Sequence, residues 1–486
     1  MRRLVNHSLV YGLGSALSAA GGFILLPLYT HVLDTAEYGV LELLNRIGDV
    51  MILVFFLGCR QAYLRLYYDQ PDEPGRQVLT GTMILFSLAI SLSAVAVVLP
   101  VLGIVDQQLL GSAVPRNALY LALLWVPLEM VVNIGLSFLQ ARMRPALFVM
   151  VGFLRLVGYV GLNAWFLYVL GWSITGVFAA QTIITGAVAC AFLVYFVQWS
   201  RLRASVDVLR QLLKLGLPYL PTTLFMYVIA NADRLFLTAS TSLSAVGLYA
   251  LSFKLGISLT MLFLEPILRA WWPFLYAHYQ DADGPLMLGR AVTLFALAAV
   301  AVALTIAVSA PLVIPLIAGE QYYDAWRYVP PLCVAGVFYG LQHVADAGIL
   351  IGKKTSHKPF IFGAAAVVSV VGNALLVPRL GINGAALTAI GAYGVLLYLT
   401  HSYAVRYYRM TLERGRLALI VCGAVLAYLL SLVPGYLGPQ GRLGMLLSLG
   451  AIPAFPLILW VAGFFTPEER RMLSGFARLP WAIRRN

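Results

Sequence analysis

Charged residues are scarce in this sequence. They make up 11% of its 486 residues, whereas hydrophobic residues make up 61%, and the mean hydropathy is +0.86. A soluble domain carries about 25% charged residues, so the composition excludes a soluble globular enzyme. Apolar runs of about 20 residues, long enough for a helix to cross a bilayer, recur along the whole chain. We therefore predict an all-α integral membrane protein.

The sequence also lacks the motifs of several kinds of reactive site. Its four cysteines, Cys59, Cys190, Cys333 and Cys422, have no short spacing, which argues against a disulfide framework and a cysteine-based metal site. No Gly-Lys-Ser or Gly-Lys-Thr triplet of a Walker-type nucleotide site occurs. We predict no cofactor, no metal ion and no catalytic residue.

Polar segments and Gly/Pro punctuation separate fourteen apolar runs, each of which predicts a membrane span. Basic residues set their direction, because cytoplasmic loops hold an excess of lysine and arginine. With the amino terminus placed in the cytoplasm, 25 of the 33 basic residues fall on the cytoplasmic side. The net charge of +13 therefore reflects topology rather than nucleic-acid binding. We predict that both termini are cytoplasmic and that the first span is retained, not cleaved as a signal peptide.

The two halves of the sequence repeat each other at an offset near 208 residues. Chance similarity between apolar segments matches leucine and alanine more readily than glycine and polar residues, so we interpret the match as a repeat. Six spans in each half give parallel repeats, a transporter architecture with the site between the halves. We predict lobes at residues 1–205 and 206–410 and two further helices at 411–486. The aligned pairs are Gly39 with Gly247, Gly48 with Gly256, Arg46 with Lys254, and Asn163 with Asn373.

These features resemble the MOP superfamily of exporters and, within it, the Wzx-type polysaccharide flippases. The resemblance rests on the fourteen spans, on the Tyr38-Gly39 start of the second span, and on Asp233-Arg234-Leu235-Phe236 followed by Val246-Gly247-Leu248-Tyr249. It implies two six-helix lobes around a central cavity that is lined largely by the first two helices of each lobe. It also implies alternating access without ATP hydrolysis, in agreement with the missing Walker motif.

Three ionisable residues of the second span, Glu42, Arg46 and Asp49, are spaced to share one helix face. An ionisable side chain inside a span costs at least about 2.5 kcal/mol, so it needs a partner or a water-filled cavity. The stripe is therefore either a self-neutralising cluster or a cavity wall. Lys254 has no acid three or four residues away, so it requires an anionic ligand or an acid from another helix. We predict that Arg46 and Lys254 bind a diphosphate, Arg46 bidentately and Lys254 as a point charge.

Other charged residues in the spans are candidates for substrate binding or ion coupling. Asp233 is our first candidate for coupling to a proton or sodium ion, and the adjacent Arg234 either binds substrate or snorkels outward. Arg155 and Glu129 could meet across a helical hairpin, which favours a structural pair over substrate contact. The predicted substrate residues are Arg46, Lys254, Arg234 and Arg155, and the predicted ion-coupling residues are Asp233, Glu42, Asp49 and Glu265.

We predict a transporter that flips a polyprenyl-diphosphate-linked oligosaccharide across the bacterial inner membrane, coupled to an ion. The expected partners are this lipid-linked oligosaccharide, membrane lipid, a polysaccharide polymerase and other envelope assembly proteins, with no nucleic acid. A cation-coupled multidrug exporter of the same superfamily is the alternative, although basic residues at the repeat-related positions disfavour cationic drugs. A membrane polysaccharide polymerase or ligase is a third candidate, disfavoured by the short outer connections at 103–116 and 318–329.

Overall fold

The computed structural model describes residues 21–101, 115–437, 444, 447–467 and 469–470. Within these ranges the regular structure is helical and contains no strand. Two short π-helical segments, Trp165–Val169 and Lys254–Ser258, continue α-helices. The α-helices are α1 (Gly21–Val32), α2 (Thr35–Phe56), α3 (Cys59–Asp69), α4 (Glu73–Val98), α5 (Arg116–Ala141), α6 (Pro145–Ala164), α7 (Ser173–Ser200), α8 (Val206–Gly216), α9 (Leu220–Ser240), α10 (Leu243–Phe253), α11 (Leu259–His278), α12 (Gly284–Ile317), α13 (Val329–Ala345), α14 (Ala347–Ile351), α15 (Lys358–Leu380), α16 (Ile382–Ala404), α17 (Arg414–Leu437) and α18 (Ala451–Val461).

Eleven helical segments of the described chain are long and apolar enough to cross a membrane. Two shorter apolar helices, α1 and α18, lie in the first and last predicted spans, and the centre of the first, near Ala20, lies outside the described residues. Helix α2 covers the second predicted span and carries the charged stripe. The prediction of an all-α membrane protein is confirmed.

Local sequence explains where two of the helices at the site begin. Asp34 caps α2, because its side chain accepts a hydrogen bond from the Glu37 amide at 2.8 Å and the Glu37 carboxylate accepts one from the Asp34 amide at 3.1 Å. Before α9, Pro218 lies in a 3-10 turn, and Pro221 is in the first turn of the helix. A proline here leaves no helical donor unpaired.

The chain forms two compact units. The first consists of Met1–Lys254, Ile317–Tyr328 and Ser356–Leu396. The second consists of Leu255–Leu316, Val329–Thr355 and Leu397–Asn486. Except for Glu265, every predicted site residue belongs to the first unit. The lobe boundaries drawn from the repeat stay a prediction.

Each unit has its own apolar core. In the first, Tyr63 of α3, Phe138 of α5 and Phe196 of α7 are buried in one cluster. In the second, α17 and α18 pack with α12 through residues such as Ile420 and Leu459. This packing holds the helices that carry charged residues in fixed positions.

Candidate substrate-binding site

Helices α2 and α10 cross at two glycines that the repeat aligns, Gly39 and Gly247. A Cβ atom on Gly39 would lie 2.1 Å from the Leu243 carbonyl oxygen, and one on Gly247 would lie 2.0 Å from the Thr35 carbonyl oxygen. No side chain fits at either position without moving backbone, so glycine permits this close approach. The crossing brings together the charged positions that follow each glycine.

Beyond the crossing, Glu42 binds both repeat-related cations. Lys254 Nζ lies 2.6 Å from Glu42 Oε1, and Arg46 Nη2 lies 3.4 Å from Glu42 Oε2. Arg46 Nη1 also donates to Asp49 Oδ2 at 2.9 Å, and Lys254 Nζ donates to the Tyr38 hydroxyl at 2.8 Å. We call these five residues the Glu42 cluster; its two cations and two carboxylates balance in formal charge.

The Glu42 cluster resolves the two alternatives left by the sequence for Lys254, because the acid comes from another helix. For the charged stripe of α2, both alternatives given by the sequence, a self-neutralising cluster and a cavity wall, apply together. Glu42 is buried, whereas the side chains of Arg46 and Asp49 retain 32% and 37% of their exposure. The stripe therefore neutralises itself and at the same time lines a cavity. The structure brings Arg46 and Lys254 together on one carboxylate, and their binding of a diphosphate stays a prediction.

Asp233 and Arg234 form a second group, sealed from solvent. Arg234 Nη1 donates to Asp233 Oδ1 at 3.0 Å, and the Tyr249 hydroxyl donates to Asp233 Oδ2. The guanidinium lies 4.4 Å from the Phe253 ring centre. Both charged side chains are 4% exposed. We call these four residues the Asp233 cluster.

The interpretation that Arg234 snorkels outward is wrong. Although adjacent residues point about 100° apart on a helix, the long Arg234 side chain folds back onto Asp233 and onto the aromatic rings of α10. The carboxylate and the two rings compensate the charge of this buried guanidinium, whose Nε atom has no hydrogen-bond partner in the described structure. The roles predicted for both residues, in substrate binding and in ion coupling, stay predictions.

Arg155 and Glu129 meet across the hairpin of α5 and α6. Their Nη2 and Oε2 atoms are 2.6 Å apart, and Arg155 also donates to the Tyr159 hydroxyl at 2.9 Å. The Tyr159 hydroxyl is in turn 2.8 Å from Thr185 Oγ1 on α7. The structural pair expected from the sequence is present, and Arg155 lines the same cavity as Arg46.

Glu265, the last candidate, lies in the second unit. Its Oε1 atom is 3.1 Å from Arg269 Nε one turn along α11, and both side chains are more than 40% exposed. Such an exposed pair one helical turn apart contributes about 0.3–0.5 kcal/mol. Its predicted part in ion coupling stays a prediction.

The sequence interpretation missed the tyrosines that complete both clusters. Tyr38 lies one helical turn before Glu42 and is fully buried, and Tyr249 is equally buried beside Asp233. A third, Tyr227 of α9, donates its hydroxyl to the Arg46 carbonyl oxygen at 2.5 Å. Tyr38 and Tyr249 each lie within two residues of one of the paired glycines. This spacing in the sequence could have identified them as residues of the site.

Among the described residues, no group of three or more histidine, cysteine or acidic side chains is placed to hold a metal ion. The four cysteines are free thiols, and those of Cys59 and Cys333 are buried.

Comparisons with known proteins place this arrangement in a family. The family model described as "Polysaccharide biosynthesis protein" matches residues 30–327, which is more than half of the chain. A comparison with curated protein sequences gives no match. The matched segment contains the Glu42 and Asp233 clusters.

Solved structures share the fold at low sequence identity. "Lipid II flippase MurJ, inward closed conformation" matches with a TM-score of 0.69 and 12% identity, covering 95% of this chain and 100% of that chain. A multidrug resistance MATE family transporter of the MOP superfamily, in an inward-facing conformation, matches with a TM-score of 0.65 and 15% identity, covering 82% and 94%. The chain belongs to the polysaccharide biosynthesis protein family and has the membrane fold of MOP-superfamily transporters.

Proposed function

We propose that this protein flips a polyprenyl-diphosphate-linked oligosaccharide across the bacterial inner membrane by alternating access, coupled to an ion. The observation that carries the proposal is the convergence of Arg46 and Lys254, one from each half of the repeat, on a single carboxylate inside the membrane region. Cations held there suit an anionic group that must cross an apolar protein. Translocation breaks no covalent bond, so the proposal needs no catalytic residue.

The two cations differ in the geometry with which they can bind the two phosphate groups of a diphosphate. The Arg46 guanidinium can bind two phosphate oxygens at once, whereas Lys254 acts as a compact point charge. The family of the chain supports a lipid-linked polysaccharide precursor over a drug, and its structural neighbours include both a lipid flippase and a multidrug transporter.

Glu42 supplies the internal anion of the proposed cycle. The substrate diphosphate displaces Glu42 from Arg46 and Lys254 on binding. After release on the outer side, Glu42 returns to both cations, so the empty protein reorients without two unpaired charges in the membrane. The ion that is exchanged acts on a carboxylate of the predicted set, of which Glu42 and Asp49 contact Arg46 directly.

Hydrogen bonds in the first unit support a conformation closed on the predicted outer side. The Tyr322 hydroxyl donates to the Asp34 carbonyl oxygen at 2.8 Å, and Thr30 Oγ1 donates to the Ile317 carbonyl oxygen at 2.8 Å. The Gly319 amide also donates to the Thr30 carbonyl oxygen at 3.1 Å. These bonds tie α1 and the start of α2 to the 317–328 segment, next to the paired glycines. Breaking them is the step that opens the outer side in alternating access.

The proposal includes a setting and partners. Both termini are proposed to be cytoplasmic, which the uneven distribution of basic residues supports, and the lipid-linked substrate implies membrane lipid as the surrounding phase. A polysaccharide polymerase that consumes the flipped unit and other envelope assembly proteins are the proposed protein partners.

The test is translocation of a polyprenyl-diphosphate oligosaccharide in proteoliposomes that contain the wild type, Arg46→Ala or Lys254→Ala at equal reconstitution. Each substitution removes a charge-assisted bond worth about 1.5–3 kcal/mol, so we expect the rate to fall about tenfold to a hundredfold. Arg65→Ala is the matched control, because its side chain is 70% exposed on α3 and should leave the rate unchanged.

Two results would contradict the proposal. One is unchanged translocation in both variants, which removes the basic pair from the mechanism. The other is the absence of movement with every lipid-linked sugar tried, together with efflux of a cationic dye by the wild type. That second result would make the chain a cation-coupled multidrug exporter.

A further inference from the structure

A cavity of about 380 Å³ lies in the first unit beside the Glu42 cluster. Residues of α1, α2, α5, α6 and α7 line it, and its volume is in the range of small-molecule sites, about 300–1,000 Å³. Arg46 belongs both to this cavity and to the Glu42 cluster. A molecule bound in the cavity would therefore touch a group bound by Arg46 and Lys254.

The wall of the cavity is rich in groups that bind hydroxyls. Asn45 of α2 and Gln181 of α7 face each other, with Gln181 Nε2 3.3 Å from Asn45 Oδ1. Amides both donate and accept hydrogen bonds, as sugar hydroxyls do. The rings of Tyr29 and Tyr159 also line the cavity and offer apolar faces against which the C–H face of a sugar ring can pack.

Several polar atoms on the lining residues have no hydrogen-bond partner in the described structure. They are Arg46 Nε, Trp125 Nε1, Arg155 Nε and Asn163 Oδ1. Three are donors and one is an acceptor, and leaving such buried groups unpaired is costly. A ligand with several hydroxyl groups can supply partners of both kinds.

The charges around the cavity indicate whether its ligand is neutral or anionic. Arg46 is paired with Glu42 and Asp49, and Arg155 is paired with Glu129. Every guanidinium on the cavity wall thus already holds a carboxylate. When the diphosphate replaces Glu42 on Arg46, the one other guanidinium among the lining residues, that of Arg155, still holds Glu129, so the rest of the cavity fits an uncharged, hydroxyl-rich group.

We infer that this cavity binds the uncharged sugar residue nearest the diphosphate of the lipid-linked substrate, through Asn45 and Gln181. The inference rests on the proposed function and adds a sugar subsite to it. It divides recognition into two parts: the Glu42 cluster holds the diphosphate, and the cavity selects the first sugar.

The experiment measures equilibrium binding of two probes to the purified full chain in detergent. One probe is a short-chain polyprenyl diphosphate without sugar, and the other is the same lipid carrying one N-acetylhexosamine. We expect the glycosylated probe to bind the wild type about tenfold more tightly. Gln181→Met keeps the side-chain length and removes the amide, so it should abolish most of this ratio and leave binding of the sugar-free probe unchanged.

Gln198→Met is the matched control, because Gln198 is an exposed residue of the same helix α7. It should preserve the ratio. Asn45→Leu tests the facing amide and replaces Gln181→Met if that variant does not fold. Lys254→Ala should weaken both probes equally.

The outcomes separate the inference from the proposed function. If both probes bind and the ratio is the same in the wild type, Gln181→Met and Asn45→Leu, the cavity does not bind sugar and the diphosphate site stands. If neither probe binds the wild type, the proposed function fails, and the sugar subsite fails with it.

Discussion

The Glu42 cluster and the Asp233 cluster are built from the same chemical groups in the same compact unit. Each joins a carboxylate to an arginine and a buried tyrosine. They differ in exposure: Arg46 and Lys254 keep 32% and 22% of their side-chain surface, whereas Asp233 and Arg234 keep 4%. They also differ in neighbours, since a polar cavity adjoins Arg46 and aromatic rings cover Arg234.

This difference separates two uses of charge in a membrane protein. A sealed pair has no alternative partner, so removing one member leaves an uncompensated charge in a medium that cannot solvate it. A pair beside a cavity can exchange one anion for another, because water or ligand can replace the lost contact. By this criterion we propose that the Glu42 cluster exchanges partners and that the Asp233 cluster holds α9 against α10.

The largest predicted effect on stability comes from removing one member of the buried Asp233–Arg234 pair. Arg234→Ala leaves Asp233 buried beside Tyr249 without its cation, and we expect the free energy of unfolding to fall by about 3–5 kcal/mol. Replacing both charges in Asp233→Asn/Arg234→Gln should restore much of that loss, because no lone charge remains. Thermal unfolding in detergent, with all variants purified in parallel, measures both effects.

A double variant that unfolds like the wild type and yet transports nothing would contradict the distinction between the two clusters. That outcome would give the Asp233 cluster a direct part in transport, as the ion-coupling prediction for Asp233 requires. A double variant that transports normally would confine the cluster to stability.

Much of the fold could be predicted because its signals are local. Apolar runs of the length of a bilayer mark the spans, and Asp34, three residues before Glu37, marks the start of α2. The repeat added one long-range contact, since aligned Gly39 and Gly247 lie against each other in the structure. Beyond that crossing, the packing of the helices depends on the shapes of many side chains in contact. No short pattern in a single sequence encodes this packing.

The candidate site was predictable in its charges but not in its geometry. A lone cation such as Lys254 must find an anion, so the need for a partner followed from the cost of burial, whereas the choice of Glu42 did not. One of the two alternatives for Arg234, outward snorkelling, was wrong, because rotation around one helix says nothing about the rings that a neighbouring helix supplies. The polar stripe of α2 indicated one wall of the cavity beside Arg46, but the other four helices that line the cavity could not be identified from the sequence.

Removing one tyrosine hydroxyl from each cluster should reduce stability by an intermediate amount, and the two losses can be compared directly. Tyr249→Phe takes away the donor to Asp233, a bond to a sealed charge worth about 1.5–3 kcal/mol of stability. Tyr38→Phe takes away an acceptor of Lys254 and a longer bond, of 3.2 Å, to Glu42. Because Lys254 and Glu42 keep each other at 2.6 Å and Lys254 is partly exposed, we expect a loss of about 1 kcal/mol. Paired thermal unfolding curves test the order, and equal losses would contradict the distinction drawn from exposure.

The smallest effect is expected at Asp49, the most exposed carboxylate of the Glu42 cluster. Its bond to Arg46 is partly in contact with the cavity, so Asp49→Asn should change the free energy of unfolding by no more than about 1 kcal/mol. The same substitution removes an anion that competes with the substrate for Arg46. Binding of the sugar-free polyprenyl diphosphate should therefore tighten by up to about fivefold, the factor that corresponds to 1 kcal/mol. Weaker binding at unchanged stability would mean that Asp49 holds Arg46 in its binding orientation, because the two roles of this carboxylate, competitor and support, shift the affinity in opposite directions.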